Sequence, residues 1–349
     1  LGDVYKRQFV GIMFLCIIIV CTMFVMLYER SSYSSTKEKG RFTIVTSFYP
    51  MYIATLNIVD GADGVTLENL SEPQTGCLHD FQLTPEDMKL LSTADMFVIN
   101  GGGIESFMSD VAKAYPDLTV TEACRDVQLI AEDDEDIDVH GDGTDTNDHS
   151  HEEEHDIDSD RPHAHDGDDP DDHDGAGHDH GDENAHAWMS VSRYRTMVST
   201  IADALSEADP SNASIYNSNA KEYDQKLAEL EQEESQIKEK TNGKDIIIFH
   251  EAYEYVADDF GMNVRYLMDL DEERSVSAGE VSDVIAAVKN DGVSVILAEE
   301  LYGKDLGDTV SRETDVKMVY IDPLNRGDYD KDSYIDGMKK NFKLIEGAF

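Results

Sequence analysis

The stretch "KDIIIFHEAYEYVADDFGMNVRYLMDL", residues 244–270, decides the fold. "KDIIIFH" is a short apolar run rich in β-branched residues, which reads as a buried strand. "EAYEYVADDFG" has helical periodicity and stops at Gly261. "NVRYLMDL" is a second strand. A strand, a helix and a strand joined so tightly form the unit of a parallel sheet. The alternation continues through helix 277–292, strand 293–300, helix 304–315, strand 316–323 and helix 331–349. Upstream the order is the same. Strands at 41–48, 65–70, 95–100 and 118–123 alternate with helices at 50–61, 84–94 and 103–116. The middle helix opens well, with Thr84 as N-cap, Pro85 at the first helical position and acids in the first turn. Between the halves lie a helix ending at Pro210 and a run over 212–240 at helical period with a narrow apolar stripe, suited to bridging a surface. The expected fold is α/β, with two lobes, each a roughly four-stranded parallel sheet flanked by helices, joined by one long helix.

The composition divides the chain further. Net charge is −46. Residues 131–184 hold 24 Asp/Glu against one basic residue, Arg161, so half the excess sits in about one-sixth of the chain. Such a segment buries too little apolar surface to fold alone, and it is expected to be a disordered acidic loop. Nucleic acid is excluded as a partner, because phosphate contacts need Lys and Arg. Residues 9–28 are 20 residues without a charge, preceded by Lys6 and Arg7. That length crosses a ~30 Å hydrocarbon core, with its start in the cytoplasm. No small-residue cleavage site follows Tyr28, and neither Cys16 nor Cys21 follows a small residue. An uncleaved anchor over 1–30 is expected, with a cleaved signal as the alternative. A tether follows over 31–40. The N-terminal lobe then spans 41–189, the linking helices 190–242 and the C-terminal lobe 243–349. The body would lie in an extracytoplasmic space, where Cys77 and Cys124 could pair; two unpaired thiols, or zinc ligation by Cys77, are the other readings.

Of 12 histidines, three lie in ordered sequence: His79 in "GCLHDFQLTPEDM", His186 in "NAHAWMSV", and His250 at the end of "IIIFH". Each is expected at the carboxyl side of parallel strands, the edge where α/β folds place their sites. Neutral imidazole is a usual zinc donor, and a tetrahedral site draws three or four such groups from separate elements. The other nine, His140, His149, His151, His155, His163, His165, His173, His178 and His180, have no regular spacing and sit in the acidic loop. "HEEEH" at 151–155 superficially has zinc-protease spacing, but its Asp-, Gly- and Pro-rich surroundings offer no stable helix. A weak metal scavenger is the functional expectation for this tract.

At these residues the chain resembles the zinc/manganese substrate-binding proteins of bacterial metal-import ABC transporters. The matching pieces are "TSFYPMYIATLNIVDG", "HDFQLTPEDMKLLSTADMFVINGGG", "NAHAWMS", "FHEAYEYVADDFGM", "ILAEELYGKDLGDTVSRET" and "YIDPL". The resemblance runs from about Arg41 to the C-terminus, and the acidic His-rich insertion fits the zinc-specific branch. It implies a metal buried between the lobes on His79, His186 and His250. Histidine at 250, where manganese-selective members usually carry a carboxylate, favours Zn²⁺ over Mn²⁺. The fourth ligand is left to Asp328, Asn325 or water, and Glu299 is expected to support a histidine rather than bind metal. Two departures stand out: Leu78 and Cys77 precede the first ligand, and Ala185 replaces the family's Pro before the second.

The implied function is a monomeric, membrane-anchored zinc receptor that delivers its ion to an ABC permease and is not an enzyme. A manganese or iron receptor of the same fold, a zinc hydrolase using Glu251 or Glu299 as base, and a metal-binding adhesin are the alternatives. Protons compete with metal for imidazole, so affinity is expected to fall as pH drops through ~6.5.

Overall fold

A computed structural model describes residues 41–71, 81–131, 183–268, 270 and 276–349. The first sheet contains β1 (Phe42–Thr46), β2 (Val65–Asn69), β3 (Met96–Ile99) and β4 (Thr119–Glu122), in the order β2-β1-β3-β4 and parallel throughout. Two further strands, β5 (Ile130–Ala131) and β6 (Glu183–Asn184), form a small antiparallel ladder. The second large sheet contains β7 (Asp245–Ile248), β8 (Asn263–Leu267), β9 (Val295–Ala298) and β10 (Lys317–Tyr320). It is also parallel, in the order β10-β9-β7-β8. Both large sheets therefore share one order, with the first strand central and the third beside it. Each has its topological switch point between those two strands, where α/β folds open a crevice at the carboxyl edge.

The helices follow the expected alternation: α1 (Tyr49–Val59), α2 (Pro85–Leu91), α3 (Met108–Ala114), α4 (Val191–Ala208), α5 (Ala213–Thr241), α6 (Tyr253–Asp259), α7 (Ala278–Asp291), α8 (Glu300–Glu313) and α9 (Ser333–Glu346). Thr84 caps α2 as the sequence predicts, in a reciprocal capping box with Asp87. Three boundaries differ. Gly101, Gly102 and Gly103 all take positive φ, so the chain turns sharply after β3 and α3 starts at Met108 rather than near 103. Helix α8 starts at Glu300 rather than 304, because Gly303 lets its first turn press on β9; a Cβ there would lie 2.8 Å from Ala298 Cβ. The acidic insertion is shorter than its charge suggests, since residues 131, 183 and 184 belong to the β5–β6 ladder.

Packing makes the two sheets interdependent. Alternate residues of a strand face opposite sides, and the second sheet uses them in two cores. Ile247, Phe249, Ile296 and Ala298 pack with Val284, Leu306 and Val310 of α7 and α8. Ile246, Ile248, Val295, Leu297 and Val319 join a larger core that continues through α4, α5 and α9 to Ile44, Val45, Phe97 and Val98 of the first sheet. The 29-residue α5 spans about 44 Å and buries the stripe Tyr216, Tyr223, Leu227, Leu230, Glu234, Ile237 and Thr241. No helix among the described residues is long and apolar enough to cross a membrane. The apolar run 9–28 and the acidic tract 132–182 lie outside the described residues.

Glu234 is the anomaly in that stripe. Its carboxyl is buried near Asp259 at the end of α6, and burial followed by the Asp259 charge pushes its pKa up. Asp259 is raised too, chiefly by burial, although Arg193 lies 3.4 Å away. A raised folded pKa means that the folded state holds protons the unfolded state has released. That stabilisation is present at low pH and lost as pH rises through the raised folded values. Glu234→Gln should therefore stabilise the chain by about 1 kcal/mol or more above neutral pH and by little near pH 5, as read from urea midpoints across pH.

Candidate metal centre

His186 is placed by three short elements in succession. Strand β6 delivers the chain into the core, Ala187–Met189 make one tight helical turn, and Ser190 caps α4 by accepting the Arg193 N–H at 3.4 Å. The ring is buried. His250 arrives from the second lobe, two residues beyond the end of β7, and is also buried. The two imidazoles lie with centroids 5.0 Å apart and planes at 87°. Perpendicular rings at this spacing suit two nitrogens converging on one ion, since zinc–imidazole bonds are ~2.0–2.1 Å.

The surroundings of each ring are polar and specific. His186 Nδ1 lies 3.0 Å from Asn184 Oδ1 and 3.2 Å from Glu251 Oε1. The His186 backbone N–H donates to the same Asn184 oxygen at 3.0 Å. Asn184 Nδ2 donates to the Glu251 carbonyl and to Glu254 Oε2, each at 2.9 Å. His250 Nδ1 accepts the Ala252 N–H at 3.0 Å, acting as a side-chain cap for the turn into α6.

Behind His186 the first sheet supplies a second polar layer. Asn100, just past β3, donates to the Ala185 carbonyl at 2.9 Å. Its own backbone N–H donates to Glu105 Oε1 at 2.7 Å, Ser47 Oγ donates to the same oxygen at 2.8 Å, and the Gly101 N–H reaches Oε2 at 3.0 Å. Burial pushes the Glu105 carboxyl up to about 7, against these hydrogen bonds, which favour the charged form. Cys124 has a free, buried thiol, pushed up to about 12 chiefly by burial.

On the other side stands Trp188. Its ring lies 4.9 Å from that of His186 and 5.1 Å from Phe48. Its Nε1 donates to the Pro323 carbonyl at 2.9 Å, and its own carbonyl accepts from Tyr334 OH at 2.7 Å. These bonds hold the loop after β10 against the centre. That loop runs on over the first lobe: Asn57 Nδ2 donates to the Lys331 carbonyl at 2.9 Å, and the Tyr329 ring sits 4.6 Å from Tyr52.

The structure thus brings together two of the three histidines singled out by sequence. His79, Cys77 and the nine histidines of the acidic tract lie outside the described residues. Of the other candidates, Asn325 is half-buried with Oδ1 fully enclosed, while Asp328 is exposed and its backbone carbonyl accepts from Ser333 Oγ at 2.6 Å. Glu299 is buried just past the end of β9, the strand paired with β7, and Arg326 Nη2 donates to its Oε1 at 2.9 Å. Arg326 carried no sequence signal, because a lone cation in a loop announces no partner. Asn184 belongs to the matching piece around His186, but nothing in the sequence showed its hold on Glu251 and Glu254.

A family model described as zinc-uptake complex component A, periplasmic, matches residues 44–348. The zinc-binding protein AdcA of Streptococcus pyogenes serotype M6 is 29% identical over 316 residues, covering 88% of this chain and 56% of that protein. The chain therefore spans little more than half the length of that relative. The high-affinity zinc uptake system protein ZnuA of Bacillus subtilis is 27% identical over 342 residues, 96% of each chain. Among solved structures, the SBP FpvC of P. aeruginosa with a Ni²⁺ ion superposes with a TM-score of 0.67 at 24% identity, covering 88% of this chain and 96% of that one. At that identity the likeness concerns the fold.

Trp188→Phe keeps an aromatic ring but removes the only indole N–H that reaches Pro323. A buried carbonyl left unsatisfied costs about 1–3 kcal/mol. The variant should lose at least that much in a urea titration, and its metal affinity should fall with it, because the 323–326 loop loses its tie to the His186 segment.

Proposed function

The chain belongs to the zinc-uptake complex component A family, and on that premise we propose that it is an extracytoplasmic receptor. It captures Zn²⁺ between its two lobes and hands the ion to the membrane permease of an ABC importer. The observation that carries this reading is the buried, perpendicular pair His186 and His250, one from each side of the lobe boundary. An all-histidine pair suits zinc, whereas manganese prefers oxygen donors.

In this reading His79 is the third nitrogen ligand, and Asn325, Asp328 or a water completes the shell. Glu299, neutralised by Arg326, lines the floor of the site without binding the ion. Enclosure by Trp188, Phe48 and Tyr253 keeps bulk water away and strengthens each metal–ligand bond in the resulting low dielectric. Residues 9–28 anchor the protein, as a monomer, at the outer face of the cytoplasmic membrane. The acidic, histidine-rich tract gathers zinc loosely. The protein binds and releases its ion without chemistry, so Glu251 serves His186 rather than acting as a catalytic base.

Zinc titration of the full chain and of His79→Ala, His186→Ala and His250→Ala tests the site. One tight zinc per chain is expected, weakened more than about 100-fold by each substitution, beyond what loss of an outer partner costs. Tight binding that survives any of the three removes that residue from the site. Deleting 132–182, which spares the β5–β6 ladder, should abolish only weak binding. A preference for Mn²⁺ over Zn²⁺ in the same titration would replace the proposed ion.

A further inference from the structure

The Asn184 amide has four hydrogen-bonding positions, two lone pairs on oxygen and two N–H groups. In this wholly buried side chain all four are used. Two of the partners have fixed roles. The His186 backbone N–H can only donate, so the Asn184 atom facing it is the oxygen. The Glu251 backbone carbonyl can only accept, so the atom facing it is the NH₂. The amide can therefore sit only one way round.

That orientation settles the ring next to it. Nδ1 of His186 faces the same oxygen at 3.0 Å and the Glu251 carboxylate at 3.2 Å. Both are acceptors, so Nδ1 carries the proton. A neutral imidazole has one N–H, and its lone pair then lies on Nε2. His250 shows the opposite pattern: its Nδ1 accepts from the Ala252 N–H, so the proton of the neutral ring lies on Nε2, and to ligate an ion the ring must give up that bond or move that proton.

We propose that Asn184 and Glu251 are positioning residues that preset His186 in the Nδ1–H tautomer, so that the lone pair it offers a metal ion is that of Nε2. Through Nδ2, Asn184 also ties the His186 segment to the 251–254 turn that carries His250 into the centre. The proposal rests on the ligand reading of His186 given above. Partners of this kind orient a ligating ring and raise its basicity, and their loss typically weakens metal binding 10–100-fold.

The test uses ¹⁵N imidazole spectra and zinc affinities of the full chain in detergent, with His186 assigned by its disappearance in His186→Gln. Metal-free wild type should show His186 as a single Nδ1–H tautomer. The double variant Asn184→Ala/Glu251→Ala should lose that preference and bind zinc about 10–100-fold more weakly, while the His250 signals stay in place as a control for folding. Glu251→Gln, whose amide oxygen still accepts, should keep both the tautomer and the affinity. A double variant that keeps the tautomer, or loses it with affinity within about twofold, overturns the proposal. If the double variant does not fold, Glu251→Ala carries the test, with about tenfold weakening expected and unchanged affinity overturning the role of Glu251. A mixed tautomer in metal-free wild type overturns the preset alone. Wild-type His186 signals that zinc leaves unmoved overturn the ligand reading instead, and with it the link between tautomer and affinity.

Discussion

Neither large sheet can bury both of its faces without the rest of the molecule, and the site follows from that constraint. A parallel sheet needs cover on both sides. The second sheet packs one face on α7 and α8, and the other on its own α6 and α9 together with α4 and α5, in a core continuous with the first sheet. The lobes are consequently packed as one body where their carboxyl edges approach. Side chains that end strands in different lobes can then be held at ångström-level spacing, as His186 and His250 are.

A shared apolar core sets position but not orientation, and orientation comes from a polar layer laid over it. Buried polar groups are tolerable only when matched. Here the matching runs from Ser47 and Glu105 through Asn100 to Ala185, then through Asn184 to the 251–254 turn, and through Trp188 to Pro323 and Tyr334. Apart from the Asn100–Glu105 bond, the links join residues distant in sequence. Those made by Asn100, Asn184 and Trp188 restrain the segment that carries His186. Glu105 illustrates the balance: burial favours its neutral form, three donors favour its charged form, and burial wins by enough to bring it up to about 7.

The same logic separates this centre from the other unusual carboxyl pair. Glu234 and Asp259 are also buried and also raised, but they lie on the flank of the long helix beside Arg193 rather than at a strand end. They weaken the fold as pH rises. Perturbed carboxyls alone would point to either location, and strand-end placement tells them apart.

By itself the sequence determined the alternation of strands and helices, the long linking helix and the cap at Thr84. Those features are local: apolar periodicity, β-branched runs, cap residues and charge density act over a few residues of chain. His186 and His250 could be picked out because each sits where an apolar strand pattern stops. What the tertiary structure decided was everything that needs two distant segments at once. The common core of the two sheets, the Arg326–Glu299 pair and the grip of Asn184 on Glu251 join segments separated by tens of residues up to well over half the chain, and the early start of α8 against Ala298 depends on one missing Cβ. Hydrogen bonds act over about 3 Å, and no pattern of neighbouring residues records which groups folding will bring within that distance.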